Sequence, residues 1–353
     1  MNYVVLIPAY QPDERLLLLA NELSGQNIPL LVVDDGSTLQ NEIFEILEAD
    51  GVPVLHHTTN LGKGAALKTG IRALAERGYD AVITADADGQ HTVGDIRKML
   101  SALGNFPDQL ILGVRDLSAM PAKSRIGNSL TKALFSGLYH TKISDTQTGL
   151  RAFSLNDKTL PQLLALAGDR YEYEMEMLMY ASRIWPAGIR EVPIETIYIG
   201  RNETSHFHVI KDSFRVYRVL FRTLPRFLGV SLLSFGIDYG LFALLYSLVF
   251  HHSTPATILA RVVSAGCNYT LNRRLVFREG GSSYNLKNYL LLAAAILTAN
   301  TALMYLFTEI LLLPAALMKV VTEVLLYAVS YGVQSRLASA SRGPDSQMKL
   351  SRL

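Results

Sequence analysis

The chain changes character at Phe227, and this change constrains its fold more than any other feature of the sequence. Before Phe227, charged and apolar residues are mixed as in a globular domain; after it, long apolar runs dominate. Four of these runs have close to the roughly 20 residues that a helix needs to cross a bilayer. The runs are 227–250, 255–275, 290–313 and 315–337. The sequence therefore predicts a globular N-terminal domain, 1–207, followed by an all-α transmembrane domain of four helices, 227–337.

Basic residues lie on one side of the predicted spans. Lys and Arg occur before the first span, between the second and third, and after the fourth, whereas the connections at 251–254 and Pro314 carry none. Cytoplasmic loops of membrane proteins are enriched in Lys and Arg, so both termini and the N-terminal domain are predicted to be cytoplasmic. This makes the chain a multi-pass protein of the cell membrane. The tail, 338–353, is expected to be disordered.

The segment 208–226 connects the two domains and carries basic residues at helical spacing. They include Lys211, Arg215, Arg218 and Arg222, and apolar residues occupy another face. A basic amphipathic helix binds well to an anionic membrane surface. The alternative is a helix packed on the globular domain with a solvated charged face. The membrane interpretation is favoured because a predicted span follows immediately.

Short apolar runs alternate with helical patterns in the N-terminal domain. This alternation predicts an α/β domain with a Rossmann-like, mostly parallel sheet. Ligands bind beyond the carboxyl ends of the strands in such sheets, and the acidic clusters of this sequence follow predicted strands. The strands are predicted at Tyr3–Ile7, Pro29–Val33, Val52–His56, Ala81–Thr84 and Leu110–Val114.

Two carboxylates separated by one residue follow the fourth predicted strand. Asp86 and Asp88 can converge on one hard cation such as Mg²⁺ or Mn²⁺, which prefers oxygen ligands and shares them with substrate phosphates. Gln90 can add a carbonyl oxygen. The alternative is an aspartate that only caps the turn. A second acidic cluster, after the second predicted strand, strengthens the metal interpretation.

That second cluster is Asp34 and Asp35, followed by Gly36. One of its carboxylates can accept hydrogen bonds from a nucleobase or a ribose, and the glycine suits the tight turn. The segment 8–10 ends the first strand in the same way and can hold the base. Turn formation alone is the alternative for each of the two segments.

A glycine- and lysine-containing segment, 60–64, precedes a predicted helix. Backbone N–H groups and a lysine at a helix start favour phosphate binding, which makes Lys63 and Gly64 candidate ligands of a diphosphate. The spacing is not that of a P-loop, and this weakens an ATPase interpretation.

Four segments resemble, in order and spacing, the family 2 glycosyltransferases with a GT-A fold. They read IPAYQP, VVDDGS, NLGKGAALKTG and DADGQH. The similarity is greatest to the branch of dolichol-phosphate mannose synthases and bacterial polyprenyl-phosphate glucosyltransferases, and it covers about 2–207. The C-terminal part resembles the GtrA-like membrane family, through FGIDYG at 235–240 and NYTLNRRLVF at 268–277. That family implies four spans.

The resemblance implies a hexosyltransferase that moves a hexose from UDP-glucose or GDP-mannose to a polyprenyl phosphate at the cytoplasmic membrane face. It implies Mg²⁺ or Mn²⁺ at Asp86, Asp88 and Gln90. Arg115, Arg125 and Asn128 resemble the acceptor-phosphate site of the branch, and 145–151 resembles its segment facing sugar and acceptor. The candidate catalytic residues are thus Asp86, Asp88, Arg115, Arg125, Asp145 and Gln147. The candidate nucleotide-binding residues are Pro8, Ala9, Tyr10, Asp34, Asp35, Gly36, Lys63 and Gly64.

A catalytic base is not required for such a transfer. The segment 171–176, where relatives carry a base, has three alternating glutamates, so the equivalent one is not defined. A phosphate acceptor is already ionised near pH 7, because its second pKa is about 6. The enzyme then has to position the acceptor and neutralise the departing diphosphate, and a single displacement inverts the anomeric carbon. Trp185 does not lie in the Q-x-x-R-W motif of processive synthases, which favours single transfer.

Two further functions remain open at this point. The GtrA-like domain can act as a flippase for the glycosylated lipid, or the spans can anchor an enzyme with a non-lipid acceptor. The expected partners are a nucleotide sugar, a polyprenyl phosphate and membrane lipid, with no nucleic acid; a homo-oligomer is left open. The single cysteine, Cys267, allows no intrachain disulfide. Within the spans, Asp238 and Arg261 are a candidate interhelical pair.

Overall fold

The computed structural model of the protein describes residues 1–39, 41–116, 122–139, 141–183, 188–195, 209–250, 253–277 and 284–339. The chain divides into two compact units. The first is Met1–Ser136 with Thr141–Leu220, and the second is Gly137–His140 with Phe221–Leu353. Each is described in turn.

The first unit is built on one seven-stranded mixed sheet. Its order is β3-β2-β1-β4-β6-β5-β7, and β6 runs antiparallel to β4 and β5 while the other pairings are parallel. The mostly parallel α/β domain predicted from the sequence is therefore confirmed. The strands are β1 Tyr3–Ala9, β2 Leu30–Asp34, β3 Val54–His56, β4 Ala81–Thr84, β5 Leu110–Val114, β6 Arg151–Ser154 and β7 Ile189–Pro193.

Helices connect these strands, and several begin at a residue that caps them. The side chain of Asp13 accepts a hydrogen bond from the backbone N–H of Arg15, and that of Thr92 accepts one from Asp95. The helices of this unit are α1 Glu14–Gly25, α2 Asn41–Ala49, α3 Lys63–Glu76, α4 Val93–Asn105, α5 Ala122–Tyr139, α6 Leu160–Ala165, α7 Glu172–Arg183 and α8 Val209–Leu220; α5 is assigned to this unit only as far as Ser136.

The central strands are buried on both faces, which explains why they read as continuous apolar runs. Val5 and Ile7 of β1 pack into a core with Leu16 of α1. On the other face, helix α3 approaches β1 so closely that a β-carbon at Gly70 would lie 2.2 Å from Cδ1 of Leu6. The sheet is thus a rigid base for the loops that follow its strands.

The structure differs from the sequence prediction at the end of β1. Pro8 does not end this strand; it pairs with Val33, and Ala9 pairs with Asp34. The backbone N–H of Asp35 then donates to the oxygen of Ala9 at 2.8 Å. Proline is tolerated here because β4 pairs with β1 only as far as Leu6, so at Pro8 the strand has a neighbour on one side only. The strand therefore carries its last residues directly to the sheet edge.

The basic amphipathic helix predicted over 208–226 covers only part of that segment. Helix α8 ends at Leu220, and the next helix, α9, begins at Leu224. Pro225 lies in the first turn of α9, where its missing N–H is not needed, but it would break a helix running through this position. The division into two compact units also falls after Leu220.

The second unit is all-α over its described residues. Helices occur at all four predicted spans: α9 Leu224–Leu245, α10 Ser253–Leu271, α11 Leu286–Tyr305 and α12 Ala315–Ser339. One stretch of the described chain, Leu224–Val249, is long and apolar enough to cross a membrane by length and composition. Four spans therefore remain a prediction.

A polar contact joins the first two helices of this unit. The hydroxyl of Ser264 donates to Oδ1 of Asp238 at 3.0 Å. The side chain of Arg261, which the sequence suggests as a partner of Asp238, lies outside the described residues. The carboxylate of Asp238, which lies within the apolar stretch Leu224–Val249, thus receives at least one hydrogen bond from the neighbouring helix.

Candidate active site

A cleft of about 500 Å³ opens where β1, β2 and β4 end, all within the first unit. Parallel strands β2, β1 and β4 are neighbours, so their carboxyl ends bring three loops together at one sheet edge. The lining residues are Pro8, Ala9, Tyr10, Gln11, Pro12, Asp13, Arg15, Asp35, Asn60, Gly62, Lys63, Asp86, Ala87, Asp88, Arg170, Tyr171, Asp212 and Arg215.

Asp35 holds the loop that carries Lys63. Its Oδ1 accepts the backbone N–H of Leu61 at 2.9 Å, and its Oδ2 accepts that of Gly62 at 2.8 Å. The ring Nδ1 of His57 lies 2.9 Å from Oδ1 as well. The sequence assigns this carboxylate to the nucleotide, and it does line the cleft, but both of its oxygens are already used by the protein.

Asp34 and Gly36 form the turn beside the cleft and are not among its lining residues. Asp34 accepts the backbone N–H of Ser37 at 2.8 Å and lies 3.0 Å from Nδ1 of His56. Burial opposes protonation of His56, but Asp34 and Glu48 outweigh it and raise its pKa. Gly36 has a φ of +72°, and a β-carbon there would lie 2.3 Å from the backbone.

Lys63 lies between two carboxylates. Its Nζ is 2.6 Å from Oδ1 of Asp86 and 3.0 Å from Glu174, and all three side chains are less than a third exposed. Burial would raise the pKa of Asp86, but the adjacent ammonium holds it well below its ordinary value. The two carboxylates in turn raise the pKa of Lys63 despite its burial. The pairing therefore favours the charged forms of Asp86 and Lys63.

Asp88 lies on the same cleft in a different electrostatic environment. Burial, followed by repulsion from Asp86, raises its pKa. Two carboxylates that repel each other favour a bound cation. The backbone N–H of Gln90 donates to Asp88 at 3.0 Å, while Gln90 itself is not among the lining residues.

The donor set fits a hard divalent cation. Among the described residues, no three His, Cys, Asp or Glu side chains converge on one point, so the protein would offer the two carboxylates of Asp86 and Asp88. Mg²⁺ is commonly held by one or two carboxylates, with substrate phosphates and water as the other ligands. His91 is 6% exposed, and its Nε2 is 3.6 Å from Oδ2 of Asp86, which is too long for a hydrogen bond.

Three of the remaining predicted site residues, Arg115, Asn128 and Gln147, form a second cluster around Asp145, which is fully buried. Nε of Arg115 donates to it at 2.7 Å, and both the amide of Asn128 and the backbone N–H of Gln147 donate at 2.9 Å. Burial would raise the pKa of Asp145, but Arg115 lowers it. Arg125 is exposed on α5. None of these five residues is among those that line the cleft.

Several cleft residues are not identified by the sequence analysis. Arg15 and Arg170 line the cleft, as do Asp212 and Arg215 of α8, which form an ion pair at 2.7 Å. Tyr171 lines it too, and burial raises its pKa to about 12. Asp212 is an acidic residue in an otherwise basic helix. Its presence in the sequence indicates that this helix does not present a uniformly basic face to a membrane.

Two family models match the chain. The model "Glycosyl transferase family 2" matches residues 4–159, and "GtrA/DPMS, transmembrane domain" matches residues 226–338. The first covers strands β1 to β6 and most of the residues that line the cleft, and the second covers nearly all of α9 to α12. The chain therefore contains a transmembrane domain.

Curated relatives show the same assignment. A UDP-N-acetylglucosamine–dolichyl-phosphate N-acetylglucosaminyltransferase of Methanococcus voltae is 31% identical over 242 residues, which are 61% of this chain and 94% of the relative. An undecaprenyl-phosphate mannosyltransferase of Micrococcus luteus is 30% identical over 208 residues, covering 55% and 83%. A polyprenol monophosphomannose synthase of Mycolicibacterium smegmatis is 28% identical over 186 residues, covering 49% and 69%. The chain belongs to glycosyltransferase family 2 and is a glycosyltransferase with a GtrA/DPMS transmembrane domain.

Proposed function

We propose that the protein transfers a hexose from a nucleotide sugar to a polyprenyl phosphate at the cytoplasmic membrane face, with inversion of the anomeric carbon. The names of the relatives support the lipid-phosphate acceptor. The membrane domain supports an acceptor that resides in the bilayer. UDP-glucose and GDP-mannose are the proposed donors, and UDP-N-acetylglucosamine joins them because a relative carries it in its name.

One observation carries this proposal: Asp86, Asp88 and Lys63 meet on a single cleft at the carboxyl ends of the strands. This combination of two carboxylates and an ammonium suits a diphosphate bound with a divalent cation, because the cation bridges carboxylate and phosphate oxygens. Tyr10 and the end of β1 line the same cleft and are the proposed contacts of the base. A nucleoside diphosphate sugar contains both the diphosphate and the base that these residues would bind.

Asp86 and Asp88 would hold Mg²⁺ or Mn²⁺, and Gln90 is the proposed third ligand. The cation would neutralise the negative charge that develops on the departing diphosphate. The chain's own residues do the rest. Asp35 fixes the loop of Lys63 through two backbone hydrogen bonds, so the ammonium is held at the cleft before the donor arrives.

The glutamates of α7 do not supply a catalytic base in this proposal. Glu174 is paired with Lys63, and Glu176 accepts the backbone N–H of Gly168 at 2.9 Å. Glu172 lies 3.4 Å from the backbone N–H of Arg170. None of the three lines the cleft. An ionised phosphate acceptor needs no base, so this arrangement supports direct attack by the acceptor oxygen.

We propose that the cluster around Asp145 prepares the acceptor side. Asp145 holds both Arg115 and Asn128, and this fixes their side chains before a ligand binds. Arg115 and the exposed Arg125 are the proposed ligands of the acceptor phosphate, because a guanidinium binds phosphate through paired hydrogen bonds. Gln147, held beside Asp145 through its backbone, is placed near the sugar and acceptor in this proposal.

The test is a donor panel with the full-length protein in detergent, with short-chain polyprenyl phosphate and either Mg²⁺ or Mn²⁺. The expected result is a glycolipid whose anomeric configuration, measured by NMR, is inverted. Asp88→Asn should lose about 100-fold in rate, since it removes a carboxylate ligand of the cation that would stabilise the charge on the departing diphosphate. Asp108→Asn, an exposed aspartate outside the cleft, is the matched control. Wild-type activity in Asp88→Asn would remove the metal assignment.

The two alternatives are separated by the same material. A flippase needs sealed vesicles and makes no product in detergent, so glycolipid formation there establishes the transferase independently of transport. A non-lipid acceptor would be indicated if short-chain polyprenyl phosphate neither became glycosylated nor inhibited transfer to another acceptor.

A further inference from the structure

Lys63 links a cleft carboxylate to a buried one. Its Nζ contacts Asp86 at 2.6 Å and Glu174 at 3.0 Å. Arg151, 1% exposed, holds Glu174 from the other side: its Nη1 donates to the backbone oxygen at 2.6 Å, and its Nε lies 4.0 Å from the carboxylate. Positive and negative groups therefore alternate from the protein interior to the cleft.

The backbone around Lys63 has little freedom to move. Asp35 holds the N–H groups of Leu61 and Gly62, and a β-carbon at Gly64 would lie 2.5 Å from Cβ of Tyr173. The ammonium can therefore change its position only by rotation of its own side chain.

A divalent cation at Asp86 and Asp88 needs the carboxylate that Lys63 already contacts. Like charges a few ångströms apart repel strongly when water is excluded, so the cation and the ammonium compete for Asp86. A diphosphate in the cleft removes the conflict. Its oxygens would accept hydrogen bonds from the ammonium and at the same time would complete the cation's ligand set.

We propose that Lys63 makes metal binding and donor binding depend on each other. Without a diphosphate, Lys63 pairs with Asp86 and opposes metal binding; with one, it moves to the diphosphate and leaves Asp86 to the metal. This inference rests on the proposed function, which places a metal at Asp86 and Asp88. Coupling of this kind is reciprocal, and its typical size is about 5–150-fold in affinity.

The test measures Mn²⁺ affinity, from the electron paramagnetic resonance of free Mn²⁺, on the full-length protein in detergent. Wild type should bind Mn²⁺ weakly alone and roughly tenfold or more tightly with UDP or GDP. Lys63→Met should bind Mn²⁺ alone roughly tenfold more tightly than wild type, and UDP or GDP should raise its Mn²⁺ affinity by a smaller factor than they do in wild type. Both results together support the proposal.

Lys68→Met is the matched control. Lys68 lies on the same helix, and its side chain is also 17% exposed. Its Nζ is 2.6 Å from Oδ1 of Asp169, and neither residue lines the cleft. Its Mn²⁺ affinity and its response to diphosphate should equal those of wild type. Lys63→Arg, which keeps the charge, should retain the wild-type pattern and serves if Lys63→Met does not fold; loss of coupling in Lys63→Arg would then overturn the proposal.

Two failures can be told apart. In the first, wild type binds Mn²⁺ in the presence of UDP or GDP, but without a diphosphate Lys63→Met binds Mn²⁺ no more tightly than wild type. That result would overturn the role of Lys63 and leave the metal assignment in place. If neither protein binds Mn²⁺ under any condition, the metal assignment of the proposed function fails, and the coupling fails with it.

Discussion

Gly149 lies against Asp86 so closely that a β-carbon at position 149 would fall 2.3 Å from Oδ2 of the carboxylate. The hydroxyl of Thr84 donates to the backbone oxygen of Gly149 at 2.8 Å, which holds this approach in place. Asp86 is thus confined between Lys63 on one side and the backbone of residue 149 on the other. The glycine is needed for space, since its φ is not positive.

Gly149→Ala should therefore displace Asp86 and lower kcat by about 100-fold, because a shift of about 1 Å in a reacting group has that effect. Steady-state assays of the variant would measure the loss. Gly104→Ala on α4 is the control, since a β-carbon there meets no atom within 4 Å. Unchanged activity in Gly149→Ala would mean that the position of Asp86 is not critical.

The buried carboxylate of Asp145 should contribute to stability in a pH-dependent way. Arg115 lowers its pKa in the folded state, so its contribution is complete above its ordinary pKa of about 3.9 and is lost as the pH falls through the lowered folded value. Asp145→Asn should cost about 3 kcal/mol at pH 7, because it leaves Arg115 without its charged partner. The variant should lose less stability than wild type on going to acid pH.

The fluorescence of Trp185, the one tryptophan of the chain, provides the measurement for this domain. Thermal unfolding at pH 7 and at a series of lower values down to about pH 2 gives the comparison, with Asp157→Asn, an exposed aspartate, as the control. Equal acid sensitivity of wild type and Asp145→Asn would show that Asp145 does not carry this pH dependence.

Asp35 should affect donor binding through the loop that it holds. In Asp35→Asn, one oxygen becomes an NH₂ group that cannot accept the N–H of Leu61 or Gly62. We expect the KM for the donor to rise about tenfold, because loss of one such bond costs about 1–3 kcal/mol, while kcat changes less. Donor titrations at saturating acceptor would measure both. A kcat effect without a KM effect would place Asp35 in the chemical step instead.

The sequence was sufficient to predict the α/β domain, because the central strands are buried on both faces and therefore appear as continuous apolar runs. It also indicated the cleft, since Asp35 and Asp86 directly follow strands whose carboxyl ends share one sheet edge. Strands β6 and β7 were not predicted. Strand β6 runs antiparallel between β4 and β5, an arrangement that depends on pairing between segments distant along the chain.

The partners of individual site residues were not predictable for a related reason. Lys63 and Glu174 are 111 positions apart, and only the packing of α3 against α7 brings them together. The same is true of Arg15, which lines the cleft because of where α1 begins after its cap at Asp13. Spacing along the chain identifies residues that follow one strand, but contacts between helices require the folded structure.

The predicted orientation of the membrane domain can be tested with the single cysteine of the chain. In a Cys267→Ser background, a cysteine introduced by His252→Cys should react with a membrane-impermeant maleimide added outside intact cells, because the connection at 251–254 lacks Lys and Arg. A cysteine from Ser283→Cys, in the basic connection between the second and third spans, should react only after the cells are opened. Labelling of both from outside would contradict the four-span arrangement with a cytoplasmic catalytic domain.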